Sequence, residues 1–153
     1  MTVVFSLTVS RGLTVAETTA ALADLLPPGA HLVVQPPGAD VPADPGSLWA
    51  TLEPTADPAW PLGLVVHTHA CDLGPHPDLR LAEHLARRLA VDVLCGTDPA
   101  FTDVDPQDPS YSLALVDGRW HLADTTGARL WDDGTDGTDA PVELLRPAPV
   151  DTA

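Results

Sequence analysis

Two neighbouring stretches, LGLVVHTHAC at residues 62–71 and PDLRLAEHLARRLA at residues 77–90, decide the fold because they carry two different hydrophobic periods. In the first stretch, core-type residues recur at every second position, which is typical of a half-buried β-strand. In the second, Leu81, Leu85 and Leu89 recur at every fourth position and form the apolar stripe of an amphipathic helix. The pair therefore predicts a sheet with a helix packed against it.

The same two periods divide the rest of the chain. A helix is predicted at residues 14–26, where Thr14 and Glu17 have the spacing of a capping box and Pro27 ends the pattern. The dipeptide Asp117-Gly118 between two apolar runs predicts a tight β-hairpin. Strands are predicted at residues 2–9, 31–35, 47–53, 62–70 and 91–95, in the two arms of that hairpin, and as a short further strand at 128–131.

The resulting order, β-α-β-β-β-α-β-β-β before that further strand, predicts an α+β two-layer sandwich with a mostly antiparallel sheet and both helices on one face. Its central part follows the element order of the ferredoxin-like β-α-β-β-α-β plan, which implies no function. A length of 153 residues suits one domain. We assign residues 1–145 to a single α+β domain and residues 146–153 to an irregular C-terminal tail.

The composition is acidic and lacks Lys, Ile and Asn, which is typical of a protein from a GC-rich bacterial genome. The formal net charge is −15, with 22 acidic and 7 basic residues. Such a charge repels phosphate backbones and anionic lipid headgroups, so it argues against nucleic-acid and membrane-surface binding and favours basic partners or cations. The alternative is that the surplus acid serves only to keep the protein soluble.

The first residues, MTVVFSLTVSRG, alternate apolar and polar side chains and do not have the pattern of a signal peptide. No continuous apolar run approaches the roughly 18 residues that would span a bilayer. The expected location is therefore the cytoplasm, where Cys71 and Cys95 are expected to be free thiols.

Histidines on the predicted strand at 62–70 suggest a metal site. Strand parity places His67 and His69 on the side opposite the core-facing residues, and His76 or Asp72 from the following loop could complete a zinc or nickel site. The alternative is that imidazoles occupy the exposed side of a strand without binding metal. His121, in the hairpin, would join His67 and His69 if the two strands were neighbours.

Catalytic signatures are absent from the sequence: there is no G-x-S-x-G elbow, no P-loop and no G-x-G-x-x-G. Cys95 ends a predicted strand before a glycine, but no basic residue lies near it in sequence to lower its pKa, so a small buried side chain is expected. No catalytic residue and no cofactor are predicted.

Three functional hypotheses remain. The leading one is a non-enzymatic protein-binding module, of the inhibitor or immunity-protein kind, that meets a basic partner through its acidic surface or through an open sheet face carrying Trp49 and the histidines. The second is a small metal-dependent enzyme that uses His67 and His69. The third is a structural homodimer formed by sheet faces or strand edges.

Overall fold

A computed structural model describes residues 2–44, 46–69, 71–128, 130 and 140–152, which form one sheet and two helices. The strands are β1 Thr2–Val9, β2 Leu32–Gln35, β3 Leu48–Pro54, β4 Leu62–His69, β5 Val93–Cys95, β6 Tyr111–Val116, β7 Arg119–Asp124 and β8 Glu143–Pro147. The helices are α1 Val15–Ala23 and α2 Pro77–Leu89.

The eight strands of the described residues form one sheet in the order β2-β3-β4-β1-β5-β6-β7-β8. Neighbouring strands pair antiparallel, except that β2 and β3 pair parallel. The predicted α+β class with a mostly antiparallel sheet is confirmed, and the order of elements agrees through β7. β1 connects the two halves of the sheet, because it pairs with β4 on one side and with β5 on the other.

The end of the chain differs from the prediction. Ala128 and Leu130 are not in a strand, and residues 129 and 131 of the predicted strand lie outside the described residues. The last strand is instead β8, which pairs with β7 and brings Arg146 and Pro147, assigned to the irregular tail, into the sheet. Every residue of β8 is exposed, so no apolar alternation marks it in the sequence. It forms on the free backbone edge of β7, which any extended segment can pair with.

Both helices pack on one face of the sheet, called here the first face. Leu22 of α1 and Leu81 and Leu85 of α2 are fully buried in a cluster with Leu7 of β1 and Leu64 of β4. This is the predicted layer arrangement. No helix among the described residues has the length and apolar character needed to cross a membrane.

The start of α1 follows the sequence closely, whereas its end does not. The Glu17 amide donates to Thr14 Oγ1 at 3.1 Å, and the Thr14 amide donates to Glu17 Oε1 at 2.8 Å, which completes the predicted capping box. The helix ends at Ala23, three residues before the predicted end, and Leu25 and Leu26 pack on the core from the following turn. A hydrophobic period alone does not show where helical hydrogen bonding stops.

The opposite, or second, face has a covered part and an open part. Trp60, from the connection between β3 and β4, packs with Leu94, Ala114, Ala123 and Leu130 in a separate buried cluster. This cluster covers the face over β5, β6 and β7. Neither helix of the described residues covers β2, β3, β4 and the first half of β1 on this side.

The hairpin between β6 and β7 has the predicted turn. Asp117 and Gly118 both have positive φ, at 50° and 76°. Two consecutive residues with positive φ define a type I′ turn, whose twist matches that of the flanking strands.

Candidate functional site

A row of four side chains crosses the open part of the second face. The register places Val33 of β2 beside Trp49 of β3, Trp49 beside His67 of β4, and His67 beside Val4 of β1. Val4 is 55% exposed, and the other three side chains are half-buried. We call these four residues the cross-strand row; it is an accessible apolar and aromatic surface in the half of the sheet that no helix covers.

The two rings in the middle of the row are held by local contacts. The Trp49 indole stacks on the His67 imidazole, with ring centroids 4.1 Å apart and an angle of 13° between the planes. Trp49 Nε1 donates a hydrogen bond to Gln35 Oε1 at 2.9 Å. These two contacts hold the indole in one orientation.

His67 is an unusual polar member of this surface. Its Nδ1 atom is buried and has no hydrogen-bond partner among the described residues. An unpaired buried polar atom destabilises a protein by about 1–3 kcal/mol.

The three predicted metal ligands occupy different surroundings. Strand parity holds for β4: Leu64, Val66 and Thr68 are buried, while His67 is half-buried and His69 is exposed. His76 lies beyond the strand, at the start of α2, where its Nδ1 atom is engaged by Asp98. Within the described part of the chain, no group of three or more His, Cys, Asp or Glu side chains has the arrangement of a metal site.

His121 lies on the second face like His67, because the register carries the same side across the sheet from β4 to β7. The two strands are not neighbours, since β1, β5 and β6 lie between them. Four strand spacings across the sheet amount to about 19 Å. The register aligns His121 with Gly63, four residues from His67, which adds an offset of about 13 Å along the strands. His121 therefore does not join His67 and His69, which was the condition set for a shared site.

A second group of polar side chains lies at the start of α2. His76 Nδ1 donates a hydrogen bond to Asp98 Oδ2 at 2.6 Å, and its ring packs against Phe101 with centroids 4.9 Å apart. His76 has φ 52° and ψ 59°, a left-handed conformation that costs on the order of 1 kcal/mol in a residue other than glycine. The contacts of the His76 ring with Asp98 and Phe101 offset part of this cost.

Asp78 and Cys95 complete this group, and burial governs both. Burial raises the pKa of the Asp78 carboxyl above its usual 3.8, and the neighbouring Asp98 carboxylate raises it further. Burial also raises the pKa of the Cys95 thiol well above its usual 9.0, with Asp78 and Asp98 adding to the effect. Cys95 is thus a protonated, buried side chain whose Sγ lies 3.8 Å from the Leu113 carbonyl oxygen. It lacks the thiolate that nucleophilic catalysis needs.

Both cysteines are free, as predicted. Burial raises the pKa of the half-buried Cys71 thiol too, and the adjacent Asp72 carboxylate contributes.

Sequence reasoning found Trp49 and His67 but missed the other half of the site. It did not identify Val4 or Val33, the other two residues of the cross-strand row. Val4 gave one signal, because it falls on the polar side of an alternating strand and is nevertheless apolar. Nothing in the sequence indicates that β2, β3, β4 and β1 align these residues, since strand register is set by tertiary pairing.

Comparisons of the chain with protein-family models, with curated proteins and with solved structures find no match. Function is therefore inferred from the side chains and their surroundings alone.

Proposed function

We propose that this protein is a non-enzymatic protein-binding module that uses the cross-strand row to bind a basic partner protein. The observation that carries the proposal is the row itself: four aligned apolar and aromatic side chains on a part of the sheet that α1 and α2 leave uncovered. Aromatic side chains that are rigid and accessible are the usual energetic centres of protein interfaces.

The charge around the row supports a basic partner. The strands β1, β2, β3 and β4 contain no Lys or Arg, and Glu53 is their one formally charged residue at neutral pH. Asp40 and Asp44 lie on the loop between β2 and β3, and Asp72 follows β4; all three are exposed. An apolar centre with a charged rim is the common arrangement of protein interfaces, and here the rim is acidic.

The net charge of −15 adds a long-range contribution. A basic protein is attracted before contact, which raises its association rate, whereas a second copy of this chain is repelled. Screening acts over a Debye length of about 8 Å at physiological salt. The expected complex therefore weakens as ionic strength rises, mainly through slower association.

A matched pair of variants tests the proposal. Val4 and Leu144 are both exposed apolar residues on the second face, at 55% and 42% exposure, but only Val4 belongs to the row. Val4→Arg and Leu144→Arg change the net charge equally, so a difference between them reports position. We expect Val4→Arg to weaken the complex about tenfold or more, as a disrupted interface centre does, and Leu144→Arg to change it less than about twofold.

The partner is identified by cross-linking the intact chain in a lysate of its source, and affinity is then measured with the purified partner. The proposal requires a partner of high isoelectric point that is released by salt and by Val4→Arg. It fails if the partner binds Val4→Arg and Leu144→Arg equally, or if its affinity is indifferent to ionic strength. Sedimentation that shows a stable dimer lost in Val4→Arg would assign the row to self-association instead.

A further inference from the structure

The sheet contains a gap in its interior. β1 pairs with β4 along its whole length, from Thr2 to Val9, but with β5 only at Leu7, Thr8 and Val9. On the other side, β6 pairs with β5 only from Leu113 to Leu115. β5 ends at Cys95, after which the chain leaves the sheet toward α2, where Asp98 meets His76. Among the described residues, no strand therefore pairs with the first half of β1 or with the start of β6 on the sides where they face each other.

We call this gap the slot. It spans two strand spacings, about 9.5 Å, which is the width that one additional strand fills. A cavity of about 310 Å³ occupies it. Phe5, Asp78 and Cys95 line its first-face side, and Ser6, Thr8, Leu94, Ser112, Thr125 and Leu130 line its second-face side. Tyr111 and the connection between β5 and β6 also border the cavity; the residues of this connection that line it are Gly96, Thr97, Pro106, Asp108 and Pro109.

The backbone of β1 presents hydrogen-bonding groups to the slot. The Ser10 amide donates to the Asp92 carbonyl at 3.1 Å, so Ser10 points toward the β5 side of β1. Peptide groups alternate along a strand, so those of Thr8, Ser6 and Val4 point the same way. β5 covers Thr8, but the register ends before Ser6 and Val4, and their backbone groups make no hydrogen bond to another described residue on that side.

The backbone of β6 forms the opposite wall of the slot, and its peptide groups alternate in direction in the same way. Cys95 pairs with Leu113, and Tyr111, two residues earlier, points into the slot. A segment lying between β1 and β6 would thus find backbone partners on both sides, as a central strand does. Adding a strand to exposed backbone is a common way of binding an extended peptide.

We propose that the slot binds an extended segment of the basic partner, which enters as an added strand between β1 and β6 and directs a basic side chain toward Asp78. This inference rests on the proposed function, because it supplies the part of the partner that would enter the sheet. Asp78 is half-buried, its Oδ1 accepts a hydrogen bond from the Leu79 amide at 3.0 Å, and Asp98 and His76 lie near it. It has no ion pair among the described residues, so a basic side chain in the slot would be its ionic partner. Side chains on the other side of the segment would meet the hydroxyls of Ser6 and Ser112.

The first test needs no partner. Amide hydrogen exchange of the intact chain, followed by NMR, should be slow for Phe5 and Leu7, which point toward β4, and fast for Val4 and Ser6, which point into the slot. The expected difference is about tenfold or more, since only the first pair takes part in a ladder. Equal protection of all four amides would show that the slot is already closed and would overturn the proposal.

The second test supplies a segment at high local concentration. The sequence Thr-Arg-Thr-Val-Thr-Asn-Gly is joined ahead of Thr2 in place of Met1, so that the Asn-Gly turn folds the extension back along β1. The register of a two-residue hairpin then places its Arg opposite Phe5, on the Asp78 side. Tethering raises the effective concentration to about the millimolar range, so weak affinity cannot hide binding.

Val4 and Ser6 amides should exchange at least about tenfold more slowly in the extended chain than in the native chain. Two control extensions replace the Arg by Glu, or replace the Thr opposite Ser6 by Pro, and both should protect the Val4 and Ser6 amides less. Asp78→Asn should reduce the protection given by the Arg extension. Absence of protection would overturn the proposal that the slot accepts an added strand. Equal protection by the Arg and Glu extensions would overturn the proposal that a basic side chain is directed toward Asp78. Neither result depends on the partner, so failure here is separate from failure of the Val4→Arg test.

Discussion

Replacing Leu85 by alanine tests the layer arrangement on which the site depends. Leu85 lies in the middle of α2 with no exposed surface, inside the cluster that joins both helices to the sheet. The change removes three carbon atoms, which corresponds to about 2.4 kcal/mol of transfer free energy at 0.8 kcal/mol per carbon. The cavity left behind adds to this, and we expect a total loss of about 3–4 kcal/mol in the free energy of unfolding.

Urea denaturation followed by tryptophan fluorescence and circular dichroism measures this loss, with Arg87→Ala as control. Arg87 lies on the same helix but is exposed, so its removal should cost less than about 0.5 kcal/mol. In a domain of this size, the loss at Leu85 corresponds to a fall in Tm of about 6–16 °C. A loss below about 0.5 kcal/mol for Leu85→Ala, with an unchanged denaturant slope, would refute the placement of α2 on the first face.

Three further predictions concern single ionisable groups. The hydrogen bond from the Thr14 amide, and then Arg11, lower the pKa of the Glu17 carboxyl below its usual 4.5. The stabilisation by ionised Glu17 is therefore present above pH 4.5 and disappears as the pH falls through the lowered pKa. In acid denaturation, Glu17→Gln should not show this loss of stability. Asp78 should have the opposite effect on stability, because burial raises the pKa of its carboxyl above 3.8 and the ionised form opposes folding. Asp78→Asn should therefore stabilise the chain at pH 7 and lose this stabilisation near pH 3.5. Urea denaturation at the two pH values checks this. Cys95 should resist alkylation by iodoacetamide in the native protein and react in urea, and rapid modification of the native chain, located by mass spectrometry, would contradict its burial.

The opening of the second face links the two proposals. β1 contributes Val4 to the cross-strand row through its side chain and to the slot through its backbone. A partner could place an apolar surface on the row and continue one of its own segments into the sheet. Only the slot depends on the short β5, because a longer strand there would fill the slot and leave the row unchanged.

The sequence predicted the elements that have a strong local signal. Alternation in residues 62–69, the leucine period of α2, the Thr14 capping box and the Asp117-Gly118 turn each depend on neighbours within a few residues, and each was confirmed. The strand β8 was missed because it has no buried side, so its residues carry no pattern; only the free edge of β7 makes it a strand.

By itself, the sequence determined the class of the fold, the acidic surface and the side of β4 on which His67 lies, because these follow from local period and total charge. Only the tertiary structure decided that Val33, Trp49, His67 and Val4 align and that His121 lies far from them, because strand order is a long-range property. The slot likewise exists only in three dimensions. It arises because β5 ends after three residues while β1 and β6, on either side of it, continue. The local sequence of β1 or β6 does not indicate that the strand between them is short, since strand pairing is set by the tertiary structure.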